Sequence, residues 1–251
     1  MLKLVPYDKE SRIYIHSISP KTGESTGHWS FRVPECVSSC EGMTGHVHTI
    51  APKWTQIENG WEVQLRIDSP ECIYTTRLTT LNDEVVEIVF TIENTGIEPM
   101  TDTESDFCFS CVDQPEFSSK DWYNRVYVHT LDRCVGEDGQ SENKGEFTPI
   151  EQIRLHFPVA FNPNFAIFGS NIADLPLIMC RSLDGEKVYA GGFERCSTLV
   201  SHVGTCIHAM PWLGTIQPGQ KAARRGRFYY MTGDLEDVTK RFCDDFGLAV
   251  C

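Results

Sequence analysis

The chain has no apolar run approaching the roughly 18 residues a membrane-spanning helix needs. Its opening stretch, MLKLVPYDKESR, holds no apolar segment long enough to read as an export signal. Basic residues are scarce: 22 Lys and Arg stand against 35 Asp and Glu, for a net charge of −13. That deficit argues against nucleic acid, whose phosphates require a basic surface, and against an anionic membrane. It is also concentrated, for no Lys or Arg occurs from Leu78 through Ser119 while ten acids do. Helical periodicity is almost absent, as is any Pro/Ser-rich linker that would divide domains. The expectation is a single cytoplasmic domain over residues 1–251.

Cysteine is not scarce. The eleven cysteines are odd in number and scattered, and without an export signal they read as reduced thiols. Two local pairs occur, Cys36 with Cys40 and Cys108 with Cys111. In an extended DFCFSCVD segment Cys108 and Cys111 face opposite sides, so buried thiols are a better reading than a zinc site built from all four.

Period-two patterning dominates the rest. In WEVQLRI (61–67), Trp61, Val63, Leu65 and Ile67 share one face. In EVVEIVFTIEN (84–94), Val86, Ile88, Phe90 and Ile92 align in the same way. YNRVYVHT (123–130) and GRFYYMTG (226–233) are aromatic and β-branched, as strands prefer. Turn signals separate these runs, and the polar, Gly-rich segment 134–149 reads as a long loop. One helix is predicted in GDLEDVTKRFCDDFG, with Asp234 as the cap, Glu236 and Asp237 in the first turn and Gly247 as the stop. Leu235, Val238, Phe242 and Phe246 form its apolar stripe. The predicted fold is all-β, a large antiparallel β-sandwich with one C-terminal helix.

Two stretches carry a family resemblance. VVEIVFTIENTGIEPM (85–100) resembles the strand and Asn-Thr-Gly turn of galactose-mutarotase-like β-sandwiches. LGTIQPGQKAARRGRFYYMTG (213–233) resembles the closing strands of carbohydrate-active sandwich domains. The resemblance implies a supersandwich acting on carbohydrate. It also implies a catalytic His-Pro shortly after the Asn-Thr-Gly turn, and there the chain has TESDFCFSCVDQPEF, without a histidine. Ordinary aldose 1-epimerase chemistry is therefore not expected, whereas lyases and sugar-acid enzymes share this architecture with other residues. The cupin pattern is tested by His46 and His48 and fails, because Pro52 and Lys53 occupy the positions of its glutamate.

The candidate site residues follow from side-chain chemistry. His46 and His48 are two apart and would share a strand face, so with His208 they are the candidate ligands of one divalent metal ion. The bland alternative for the pair is a solvated strand face. His48 or His208 is the candidate base, with Arg66 or Arg227 neutralising a developing enolate. Trp212 and Trp54 are candidate platforms for stacking on a sugar ring, and Asp106 and Glu194 are candidate polar contacts. The later part of the acidic stretch, including Glu104 and Asp106, offers carboxylates for acid/base work. These readings point to a carbohydrate-active enzyme of lyase, hydratase or epimerase (isomerase) type. It would act on a small sugar or sugar acid by proton abstraction next to a carbonyl. The alternative is a non-catalytic carbohydrate-binding or enzyme-partner sandwich, with a homo-oligomer or an enzyme subunit as the macromolecular partner.

Overall fold

The computed structural model describes residues 1–39, 42–44, 50–120, 122–132, 144–149, 166–167, 173–202 and 205–248. Strands dominate in chain order: β1 (Leu2–Tyr7), β2 (Arg12–Ile18), β3 (Ser25–Ser39), β4 (Gly42–Thr44), β5 (Trp54–Ile57) and β6 (Gly60–Asp68). They continue as β7 (Glu71–Thr80), β8 (Val85–Asn94), β9 (Met100–Ser110), β10 (Val126–Asp132), β11 (Lys144–Pro149) and β12 (Ala166–Ile167). The last five are β13 (Ala173–Arg181), β14 (Lys187–Phe193), β15 (Cys196–His202), β16 (Cys206–Ile216) and β17 (Lys221–Thr232). Helix α1 (Leu235–Phe246) follows. Among the described residues no helix is long and apolar enough to cross a membrane.

The described strands form two sheets. One has eight strands, in the order β1-β2-β3-β9-β16-β15-β12 with β4 beside β3. The other has nine, in the order β11-β10-β13-β14-β17-β8-β7-β6-β5. Among the described residues all pairings are antiparallel except the two-residue β12–β15 contact, so the predicted antiparallel sandwich is the fold. Alternation places one face of each strand in the layer between the sheets. Phe31, Phe107, Phe109, Ile207, Ala209, Ile88, Phe90 and Phe228 meet there in one buried cluster. The layers approach closely at Gly191 on β14, where an added methyl would lie 2.7 Å from the Phe109 ring.

Helix α1 matches its local signals. Asp234 accepts from the Glu236 and Asp237 backbone N–H groups, and the Asp237 side chain accepts from the Asp234 N–H, closing a capping box. Gly247 ends the helix at φ 65°, a left-handed conformation that glycine adopts without strain. Leu235, Val238 and Phe242 cover Val85, Leu177, Val188 and Tyr229 on the outer face of the nine-stranded sheet.

Two expectations change. YNRVYVHT is not all strand, because Trp122–Arg125 forms a 3-10 turn before β10 begins. The Arg125 guanidinium fixes that turn by donating to the Arg181 and Phe117 carbonyls. The predicted loop 134–149 ends in a strand, since Lys144–Pro149 pairs with β10. Residues 134–143 lie outside the described residues.

Candidate functional site

The same alternation that sends Phe107, Phe109, Ile207 and Ala209 inward turns Glu104, Asp106, Cys108, Cys206 and His208 to the outer face of the eight-stranded sheet. Register does the rest. His208 lies directly across from Cys108 on β9, and Cys108 lies across from Arg32 on β3. The β3–β9 register shifts between Arg32 and Cys36, and Glu35 lies within that irregularity. Residues 102 positions apart in the chain thus meet on one surface.

His208 is the hub. Its Nδ1 lies 2.8 Å from Asp106 Oδ1 and 4.0 Å from Glu35 Oε2. Its Nε2 lies 3.1 Å from Cys206 Sγ. Arg32 donates to the other Glu35 oxygen at 2.5 Å. Cys108, Cys206 and His208 are 2%, 7% and 9% exposed, so the cluster is nearly dry. Their ligand atoms all lie within 4.8 Å of one another, as do those of Glu35, Asp106 and His208. A metal-capable group of His, Cys and Asp is therefore present on this face.

Burial alone would push the His208 imidazole down, but the Asp106 carboxylate overrides it and holds the group well above its usual 6.5. The hydrogen bond with Cys206, and then burial, hold the Cys108 thiol well above its usual range. Two residues before Asp106 on β9, burial raises the Glu104 carboxyl although Ser197 and Ser38 hydroxyls donate to it.

The predicted residues are distributed over several places. His208 and Asp106 are brought together. Trp212 follows on the same strand, half-buried, with the Arg195 guanidinium 3.8 Å from its ring centroid. One face of the indole is therefore covered by a cation. Glu194 is exposed at the β14–β15 turn, where its Oε1 accepts from the Arg225 backbone N–H at 3.2 Å. Trp54 packs against the inter-sheet core and donates from Nε1 to the Tyr7 carbonyl at 3.2 Å, which ties β5 to β1. It does not reach the His208 face.

The two arginines belong to the other sheet. Arg66 is exposed on β6. Arg227 is buried beside α1, where it pairs with Glu87 and approaches Asp245 at 3.9 Å. Neither stands beside His208, whose face carries Arg32 instead. His46 and His48 lie outside the described residues. The partners of His208 that sequence reasoning missed are Cys206, Cys108, Glu35 and Arg32. The signal for the first was the spacing Cys206-Ile207-His208, two residues on one strand face.

The thiols are reduced where they are described. None of Cys36, Cys72, Cys108, Cys111, Cys180, Cys196, Cys206 and Cys243 is in a disulfide. Cys108 and Cys111 diverge as the extended reading required: Cys111 packs in the inter-sheet core, whereas Cys108 joins Cys206 and His208.

A scan of protein-family models and a search of curated proteins each gave no match. Among solved structures the chain is similar to a protein of Escherichia coli K12 provisionally assigned as an aldose 1-epimerase. That likeness has 9% identity and a TM-score of 0.49, and it covers 93% of this chain and 99% of the other. It is similar to the Slr1438 protein of Synechocystis sp. PCC 6803 at 12% identity and a TM-score of 0.47, over 93% and 96% of the two chains. It is also similar to an α-galactosidase of Geobacillus stearothermophilus in complex with raffinose, at 13% identity and a TM-score of 0.49, over 96% of this chain and 42% of that one. At these identities and scores the likenesses assign neither family nor activity.

Proposed function

We propose that this chain, acting as one domain, binds a small sugar or sugar acid on the outer face of its eight-stranded sheet. There it moves a proton next to a carbonyl, as lyases, hydratases and epimerases do. The observation that supports this reading is the convergence of Glu104, Asp106 and His208 from two paired strands onto one face. Proton abstraction needs a base and a positive group for the charge that develops on oxygen. Glu104 is the base, because burial raises its carboxyl toward the working range of a general base. His208, oriented through Nδ1 by Asp106, stands at the positive end. Arg32, partly exposed on the same face, is the cation that a sugar carboxylate would meet.

One observation favours the second reading, a sandwich that binds carbohydrate or an enzyme partner without turnover. Both His208 nitrogens already have protein neighbours, Asp106 and Cys206. Exchange of substrate C–H protons with solvent separates the two. Incubating the protein in deuterium oxide with a panel of aldoses, uronic acids and aldonic acids, read by proton NMR, should show deuterium entering one class at the carbon beside the carbonyl. Glu104→Gln should slow that exchange by about 10²-fold or more. Saturable binding without exchange in any sugar would leave the non-catalytic reading.

A further inference from the structure

We infer that Cys108, Cys206 and His208 bind one zinc-class metal ion, with Asp106 as the carboxylate behind the histidine. The inference rests on the proposed site and deepens it: binding displaces the Nε2 proton of His208, and the ion takes over from the imidazolium as the positive charge that the reaction there requires.

Donor chemistry selects the ion. Two thiolates and one imidazole form a borderline-soft set that suits zinc and disfavours magnesium or calcium, which take oxygen ligands. Topology brings the three donors together without a loop. Cys206 and His208 are two apart on β16, and Cys108 is the direct cross-strand neighbour of His208 on β9. Ligand bonds of about 2.0–2.3 Å at tetrahedral angles put neighbouring donor atoms roughly 3.5–3.8 Å apart. The Cys206 Sγ to His208 Nε2 separation is 3.1 Å, and all three donor atoms lie within 4.8 Å of one another. Side-chain adjustments of a few tenths of an ångström to about one ångström close the triangle.

The surroundings fit the same reading. A ligating histidine usually donates its second ring N–H to a carboxylate, which fixes the tautomer and leaves the other nitrogen to the ion. Asp106 takes that place at 2.8 Å from Nδ1, and Nε2 is the nitrogen that faces the thiol. All three ligand side chains are less than 10% exposed, so little bulk water surrounds the donor atoms. Three protein ligands also leave a fourth position for water or a substrate oxygen, as in catalytic rather than structural zinc sites.

Cobalt(II) reports the ligands directly. The full chain, purified under reductant and stripped with chelator, should take up one equivalent of cobalt. The complex should show tetrahedral d–d bands and a thiolate-to-cobalt charge-transfer band, and zinc should displace both. Cys108→Ser and Cys206→Ser should each weaken binding by at least 100-fold and diminish the charge-transfer band. Asp106→Asn should keep the spectrum and weaken binding by about 10- to 100-fold. Cys111→Ser, whose thiol faces the core, should change neither. Far-UV circular dichroism checks folding, and Asp106→Asn decides the matter if a cysteine variant does not fold. A missing charge-transfer band at one equivalent, or an undiminished band and affinity in Cys108→Ser, overturns the inference. Cobalt binding without sugar exchange would support the metal site and sink the sugar reading. Exchange without metal binding would do the reverse.

Discussion

Asp106 Oδ1 and His208 Nδ1 lie 2.8 Å apart although 102 positions separate them in the chain. The contact joins β9 to β16 on a nearly dry surface, where a buried imidazole without an acceptor is costly. Asp106→Ala should therefore destabilise the protein by about 1–3 kcal/mol. Urea denaturation of the metal-stripped protein measures it, and an unchanged midpoint at constant slope would show that the pair contributes nothing to stability.

Glu104 gives a pH signature. Burial raises its carboxyl above the ordinary 4.5 in the folded state, so folding favours the protonated form. The stabilisation is complete below the unfolded value and declines as pH rises from about 4.5 through the raised folded value. Glu104→Gln cannot ionise and lacks that decline. The stability difference should move in favour of the variant as pH rises from about 4.5 through the raised folded value. A difference that stays flat over this range would contradict the raised value.

Trp212 and Arg195 test what the indole does. With the guanidinium 3.8 Å from the ring centroid, a double-mutant cycle of Trp212→Ala and Arg195→Ala should give a coupling of about 0.5–1 kcal/mol in stability. Additive effects would mean that the stacked pair carries no energy and that the ring serves another purpose.

Arg227 tests the opposite side of the molecule. Its guanidinium joins Glu87 on β8 to Asp245 on α1. Arg227→Met should cost about 1.5–3 kcal/mol of stability and leave cobalt affinity unchanged within twofold. A loss of metal binding in a folded Arg227→Met protein would show that this arginine acts on the His208 face after all.

What could be read from the sequence was what local chemistry encodes. Asp234, Asp237 and Gly247 announce both ends of α1 within fourteen residues of one another, and alternation in 61–67 and 84–94 announces β6 and β8. The Trp122–Arg125 turn escaped because it depends on Arg125 reaching carbonyls at 117 and 181. The site was half legible. His208 and Asp106 stood out as chemistry-bearing residues, but their pairing is set by the β9–β16 register, which no local pattern states. Arg227 looked available because its partner Asp245 arrives only when α1 docks.

Gly191 links the interior to this face in a different way. An alanine methyl there would fall 2.7 Å from the Phe109 ring, whose neighbour on β9 is Cys108. Because Cys108 and Phe109 are consecutive residues of one strand, pushing Phe109 outward also shifts Cys108 relative to Cys206 on the next strand. The clearance left by one missing methyl thus helps set the spacing of two sulfurs on the far side of the sheet.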